Sequence, residues 1–417
     1  MALAVSEGSA VAGGPPAPAA TPGRNAALEA APFWRREPYA LLFPLGLVLS
    51  WAGVGRWLVF ALSGRAEDYL PIFIFHSMAQ VQGFLLCFAF GFLFTMIPRR
   101  TGSAPPSVFE MGIAIVAPVS TVAAAWAQSW ALSQAGWIVA CIVLVSFVLR
   151  RFASSSAKRR PPTSFVWIPI ALLFGLVGSL MTGARGTLGE DWMWLHNLGQ
   201  VLVLQGVFLS LVLGVGGLVF PMMTRGVAAP DATRSGRDAA ALGGHLLAAS
   251  LLAASFVVQV QYSTVAGCAL RAVVLSAVLL LGAELWRLPT APGWNRRVVW
   301  LAGWMMPLGY ALAALYPQYY QGALHVSLIG GFAMLTLAVS THVVLGHGNR
   351  SDVIDGRPWQ VATIALCLLA AMVARAEMAI DPMHRNHWMA LAAMFFLAAT
   401  VVWAVFLVPT MVARARE

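Results

Sequence analysis

The chain has 417 residues, of which 59% are hydrophobic and only 10% are charged. A soluble domain has about a quarter charged and under half apolar residues, so this composition excludes a soluble globular, a fibrous and a disordered protein. The net charge of +10 would suggest nucleic-acid binding in a soluble protein. Here the basic residues stand as short pairs between apolar runs, which is typical of membrane loops. We therefore expect a polytopic membrane protein in a lipid bilayer and no nucleic-acid partner.

The chain begins with a polar stretch and continues as one series of apolar segments. Residues 1–33 are rich in Ala, Pro and Gly and lack the features of a signal peptide, so we expect a disordered cytoplasmic tail. A membrane-spanning helix needs about 20 apolar residues. On that basis residues 34–417 are predicted to form a single all-α domain, a bundle of about twelve transmembrane helices. The predicted segments are 39–63, 70–97, 107–127, 131–149, 164–184, 196–222, 239–260, 263–285, 297–317, 320–345, 359–379 and 388–413.

The distribution of basic residues sets the orientation of these helices. If the N-terminus is cytoplasmic, 20 of the 26 Lys and Arg residues fall in the inner segments. Three (Arg65, Arg185 and Arg385) fall in the outer loops, and the remaining three lie within helices. Cytoplasmic loops carry an excess of Lys and Arg, so both termini are predicted to be cytoplasmic.

Polar residues at membrane depth are costly, which makes the histidines informative. In the predicted topology His76, His196 and His325 lie near the outer ends of three different helices, within the same slab of ~10 Å. Imidazoles on facing helices are common axial ligands of haem iron, and neutral imidazole also suits copper. We take His76 and His325 as the best-placed ligand pair, with His196 in reserve. The alternative is that each histidine only hydrogen-bonds a neighbouring helix.

Three arginines also fall within predicted spans. Arg56, Arg271 and Arg375 could pair with the propionates of a haem, since arginine binds carboxylates in a bidentate manner. Arg375 could instead pair with Glu377, and Arg56 could reach the outer interface. Arg271 lies nearest the bilayer centre and is kept as a candidate cofactor-binding residue.

A second candidate metal site lies in the last outer loop. His384 and His387 are three residues apart, and Met383 and Met389 flank them. Imidazole and thioether groups suit copper, so this run could hold a copper ion at the outer surface. The alternative is an ordinary solvated loop.

Three blocks of the sequence resemble the NnrS family of haem- and copper-containing bacterial membrane proteins. They are FHSMAQVQGFLLCFAFGFLFTMIPRRTG at 75–102, GGLVFPMMTR at 216–225, and HVSLIGGFAMLTLAVSTHVVLGHGNR at 325–350. His76, His325 and His347 match histidines of the family pattern. Four positions depart from it: Met78 replaces a histidine, Ala79 a glutamate, and Leu218 and His342 arginines.

The resemblance implies a multi-pass protein of the bacterial inner membrane that binds haem, with copper as a second candidate. It also implies a role in the response to nitric oxide and nitrosative stress, with nitric oxide as a gaseous ligand. It does not imply a particular enzymatic reaction. The departures at Met78 and Ala79 weaken the expectation of a family-like metal site in the second helix.

Two other functions are compatible with twelve helices. A haem–copper oxidase or nitric oxide reductase would carry a His-x-His pair on one helix, and the sequence has none. A secondary transporter would show similarity between helices 1–6 and 7–12, and no clear repeat of that kind is visible. His347 is interpreted as structural: Gly346 and Gly348 could supply left-handed backbone at the helix end, where an imidazolium also complements the helix dipole.

Overall fold

The computed structural model describes residues 28–63, 69–153, 161–183, 190–227 and 235–416. These residues form helices and no strand. Twelve helices among them are long and apolar enough to cross a membrane, as predicted. The predicted tail over residues 1–33 falls mostly outside the described residues.

The twelve helices follow the predicted segments closely. They are α1 (Tyr39–Ser63), α2 (Ile72–Thr101), α3 (Val108–Trp126), α4 (Trp130–Ala153), α5 (Thr163–Gly183), α6 (Met193–Arg225), α7 (Gly236–Gln261), α8 (Thr264–Leu281), α9 (Trp294–Leu315), α10 (Pro317–His347), α11 (Trp359–Ile380) and α12 (Pro382–Ala415). The largest differences are extra residues at the polar ends of helices. Helix α12, for example, begins six residues earlier than predicted. A hydropathy pattern marks where apolar residues stop, whereas a helix continues until its backbone hydrogen bonds end.

Helices α2, α6 and α10 form the centre of the bundle. The protein itself buries 83%, 72% and 67% of their most apolar stretches, against at most 56% for any other of the twelve helices. Helices adjacent in sequence pack together along most of the chain, and α12 returns to pack on α1. The three enclosed helices are therefore the second, sixth and tenth of the twelve, four positions apart.

Each central helix contains a stretch of π-helix after its histidine. These stretches are Ala79–Leu85 in α2, Leu202–Gly206 in α6 and Val326–Ala333 in α10. Such widened turns are rare and occur mainly at functional sites, because they redirect the side chains that follow. Their recurrence in the three central helices points to this region as the site.

Glu110, a charged residue within the third predicted segment, completes a helix cap. The side chain of Ser107 accepts a hydrogen bond from the backbone N–H of Glu110, and the Glu110 carboxylate accepts one from the backbone of Ser107. The same carboxylate pairs with Arg150 and Arg151 at the end of α4. Glu110 therefore stabilises the beginning of α3.

Candidate functional site

A cavity of about 520 Å³ lies between the central helices and their neighbours. This volume falls in the range of pockets that hold a cofactor or a drug-sized ligand. Residues from all three π-helical stretches line it, including Phe84, Leu204 and Ile329. Apolar side chains form most of the wall, and polar side chains from several helices project from it.

His76 and His325 both line this cavity. The Nδ1 atom of His76 lies 3.3 Å from the carbonyl oxygen of Gly53 in α1. The Nδ1 atom of His325 lies 2.6 Å from the carbonyl oxygen of Gln321. A carbonyl oxygen can only accept, so each Nδ1 carries the proton and each Nε2 keeps a lone pair. This arrangement of metal-binding histidines fixes the tautomer and the ring orientation.

Arg375 of α11 is the only charged side chain, histidines aside, among the described residues that line the cavity. Its Nη1 atom donates to the Met378 sulfur at 3.2 Å. The guanidinium therefore shares one cavity with both imidazoles, where it can face the carboxylate of a bound molecule.

His196 is held in place by its own neighbours and does not line the cavity. Its Nδ1 lies 3.1 Å from the Thr182 carbonyl oxygen, and its Nε2 lies 3.0 Å from the amide nitrogen of Gln200. Gln200 itself lines the cavity. The structure thus brings His76 and His325 to one cavity. His196, the reserve candidate, contacts Gln200 of the cavity wall but does not line the cavity itself.

Arg271 is fully buried one layer behind the cavity wall. Its Nη1 donates to the side-chain oxygen of Gln205 at 3.1 Å, and its Nε donates to the Ser255 hydroxyl at 3.2 Å. Gln205 lines the cavity and Arg271 does not. The predicted cofactor-binding arginine can therefore act on a ligand only through Gln205 or its neighbours. The third arginine, Arg56, stacks on the ring of Trp126.

The candidate copper ligands lie at the beginning of α12. His384 and His387 are exposed, and the Nδ1 atom of His384 pairs with Asp381 at 2.8 Å. Met383 is 88% exposed, whereas Met389 is buried and faces the cavity. Within the described ranges no three or more His, Cys, Asp and Glu side chains are grouped closely enough to hold a metal ion together.

Sequence analysis missed several polar residues of the cavity wall. Gln80 lines it, accepts a hydrogen bond from the Ser50 hydroxyl and donates to the Ser50 carbonyl. A repeated motif could have revealed this position. His76-Ser-Met-Ala-Gln-Val recurs as His196-Asn-Leu-Gly-Gln-Val, which places Gln80 and Gln200 four residues after a histidine.

Met78, which replaces a family histidine, faces away from the cavity. The amide of Gln134 in α4 lies 3.8 Å from its sulfur, and the same amide exchanges hydrogen bonds with Gln82. Ser179 completes this buried polar cluster by donating to Gln134. Met78 thus packs against α4 and is not among the residues that line the His76–His325 cavity.

Comparison with known protein families supports the resemblance found in the three sequence blocks. The family model described as NnrS protein matches residues 32–415, which is nearly the whole chain. A search of curated proteins finds no match. The match includes all twelve membrane helices and both cavity histidines, so the chain belongs to the NnrS family.

Proposed function

We propose that this protein binds haem in the cavity between α2 and α10 and acts in the response of bacteria to nitric oxide and nitrosative stress, as a multi-pass protein of the inner membrane. One observation carries the proposal. His76 and His325 share a cavity, and each has its Nδ1 proton directed to a backbone carbonyl, so both Nε2 atoms are available as ligands.

The residues present fit a haem group. Apolar side chains from several helices, among them Phe84, Leu328 and Phe396, form most of the cavity wall. His76 and His325 are the residues that would hold the iron, and Arg375 would face a propionate. A bound haem would supply an iron that could take up a diatomic gas such as nitric oxide in place of one of the two imidazoles. The protein's own contribution is to orient the two imidazoles.

Copper remains a second candidate ligand, at His384 and His387. Both imidazoles are exposed near the start of α12, and Asp381 orients the His384 ring. We expect a double His384→Ala, His387→Ala variant to lose copper in metal analysis while keeping the absorption spectrum of the haem. Equal copper content in the variant and the parent would remove this site from consideration.

The transporter function is less well supported by the helix arrangement. Two six-helix halves would place equivalent helices six apart in the chain. The three enclosed helices, which carry His76, His196 and His325, are instead four apart. We therefore retain haem binding as the proposed function and propose no enzymatic reaction.

The decisive experiment is an absorption spectrum of the detergent-purified protein together with a metal analysis. We expect a Soret band and iron in the parent protein, and loss or displacement of that band in His76→Ala and in His325→Ala. His245→Ala is the matched control, because His245 accepts a hydrogen bond from Trp167 and does not line the cavity. A parent-like spectrum in both cavity variants would contradict the assignment.

A further inference from the structure

The guanidinium of Arg271 is a buried charge without a counter-ion among the described residues. The side chain has no exposed surface, and its Nη2 atom has no hydrogen-bond partner there. Its two acceptors, Ser255 and Gln205, are both neutral. The positive charge is therefore solvated by the protein but not neutralised by it.

Such a charge is costly in a membrane protein. Burying an ion without an opposite charge costs several kcal/mol even after the surroundings relax. The rings of Phe256 and Tyr310 lie 3.9 Å and 4.9 Å from the guanidinium carbon and offset part of this cost through cation–π attraction. A water molecule could satisfy Nη2 but would leave the charge in place. A nearby anion would lower the energy most.

Hydrogen bonds connect Arg271 to the cavity through Gln205 and Tyr320. The side-chain oxygen of Gln205 accepts from both Arg271 and Tyr310. Its amide nitrogen lies 3.4 Å from the Tyr320 hydroxyl, to which the amide of Gln259 also donates at 2.9 Å. The phenol oxygen thus accepts two hydrogen bonds, and its own O–H has no acceptor among the described residues. Gln205, Gln259 and Tyr320 all line the cavity.

The charge balance of the cavity points the same way. Arg375 is the only charged group among its described lining residues, since both imidazoles are neutral in the tautomer given above, and none is Asp or Glu. Arg375 on the wall and Arg271 behind Gln205 both favour a negative charge in the cavity. A donor O–H backed by a buried cation is the arrangement that stabilises a bound oxyanion.

We propose that Tyr320, Gln205 and Gln259, with Arg271 behind them, form a subsite for a singly charged oxyanion group. The group is either a carboxylate of the haem, in which case the inference rests on the proposed function, or a small free oxyanion. The subsite is formed by Gln205 of α6, Gln259 of α7 and Tyr320 at the beginning of α10, with Arg271 of α8 behind them.

The first arm of the test compares two porphyrins. Apo-protein in detergent is titrated with haem and with haem dimethyl ester, whose propionates carry no charge, and the affinity is read from the Soret band. If a haem carboxylate occupies the subsite, the parent protein should prefer haem by about ten- to a hundredfold, the worth of one charge-assisted hydrogen bond. Arg271→Met and Tyr320→Phe should each lose the part of this preference that the subsite supplies, whereas the part that Arg375 supplies at the other propionate should remain.

The second arm uses calorimetric titration of the same protein with sodium nitrite and sodium formate, with and without haem. If the occupant is a free oxyanion, the parent binds one of these salts, Arg271→Met and Tyr320→Phe do not, and neither variant changes the preference for haem over its ester. Arg56→Met and Tyr319→Phe are the matched controls, because neither residue lines the cavity. Both should behave as the parent does.

The outcomes separate this inference from the proposed function. A parent protein that binds no porphyrin would refute the haem proposal, and the salt titration would still decide the subsite. Equal affinity for both porphyrins with no salt binding would overturn the subsite while leaving haem binding intact. If Arg271→Met changes only thermal stability and leaves both preferences unaltered, Arg271 is structural and the inference is wrong.

Discussion

His347, at the C-terminal end of α10, pairs with Glu37, a residue that lies 310 positions earlier in the chain. The Nδ1 atom of His347 lies 2.7 Å from one carboxylate oxygen of Glu37, and Arg99 at the end of α2 donates to the other at 2.6 Å. Glu37 therefore joins the C-terminal ends of the two helices whose N-terminal parts carry His76 and His325. This contact supports the structural interpretation of His347.

We expect Glu37→Gln to destabilise the protein more than His347→Ala, because Glu37 serves two partners. Removing one member of a buried pair costs about 3–5 kcal/mol. Since 30% of the Arg99 side chain is exposed, we expect a loss in the free energy of unfolding of about 2 kcal/mol for Glu37→Gln. For His347→Ala we expect about 1 kcal/mol.

Thermal unfolding in detergent measures the stability of Glu37→Gln and of His347→Ala. Glu29→Gln, at an exposed position, is the control. The Soret band of the haem should be unchanged in all three. Loss of bound metal in His347→Ala at unaltered thermal stability would show that the residue is a ligand and not a structural contact.

The orientation of the bundle is a separate prediction. Because 20 of the 26 basic residues fall on one side, both termini should be cytoplasmic. Reporter domains fused after residue 68 and after residue 382 should report the outer face, and one fused after residue 356 the inner face. A cytoplasmic signal from either of the first two fusions would refute this topology.

The helices were predictable from sequence because apolar length is a property of the chain alone. The depth of His76 and His325 follows from the same pattern. Their convergence does not, because helices that are apolar on all sides carry little information about which face meets which neighbour. His196 lies at the same depth, yet Gln200 occupies its Nε2 atom.

Two local expectations show what sequence patterns leave undetermined. Met389 was expected beside the outer histidines, but it lies within the bundle and faces the cavity. The left-handed residue after α10 is Asn349, with φ of 55°, whereas Gly348 has φ of −83° and Gly346 lies within the helix. Asn tolerates this conformation because its short polar side chain can hydrogen-bond locally.

The beginning of α12 should respond to acid. Asp381 accepts hydrogen bonds from Trp388 and from His384, and these lower the pKa of its carboxyl from the usual 3.8. A carboxyl whose pKa is lower in the folded state stabilises that state above the unfolded pKa, and the contribution is lost as the pH falls through the folded pKa. We therefore expect this segment to loosen below about pH 4.

Hydrogen exchange of the segment around residues 381–388, followed between pH 6 and pH 3, would detect this loosening at the start of α12. In Asp381→Asn the charge is absent at every pH, so the extra acid dependence should disappear. The same acid profile in the variant and the parent would show that Asp381 does not control the segment.

The contact between Gly53 and α2 gives the sharpest test of how His76 is positioned. A Cβ atom at Gly53 would lie 2.7 Å from the Ala79 Cβ and 2.8 Å from the Gln80 amide nitrogen. A methyl group on a backbone carbon cannot rotate away, so Gly53→Ala must push α1 and α2 apart. Because the Gly53 carbonyl accepts the hydrogen bond from His76, that imidazole should move with it.

We expect Gly53→Ala to shift the Soret band or weaken haem binding, and to cost about 1–3 kcal/mol in the free energy of unfolding, as overpacking does. Gly55→Ala is the matched control, because an added Cβ there meets no atom within 4 Å. The double variant Gly53→Ala, Ala79→Gly removes the clashing methyl from α2 and should recover much of the parent spectrum. If Gly53→Ala and Gly55→Ala have the same spectrum and stability, the close approach of α1 does not position His76.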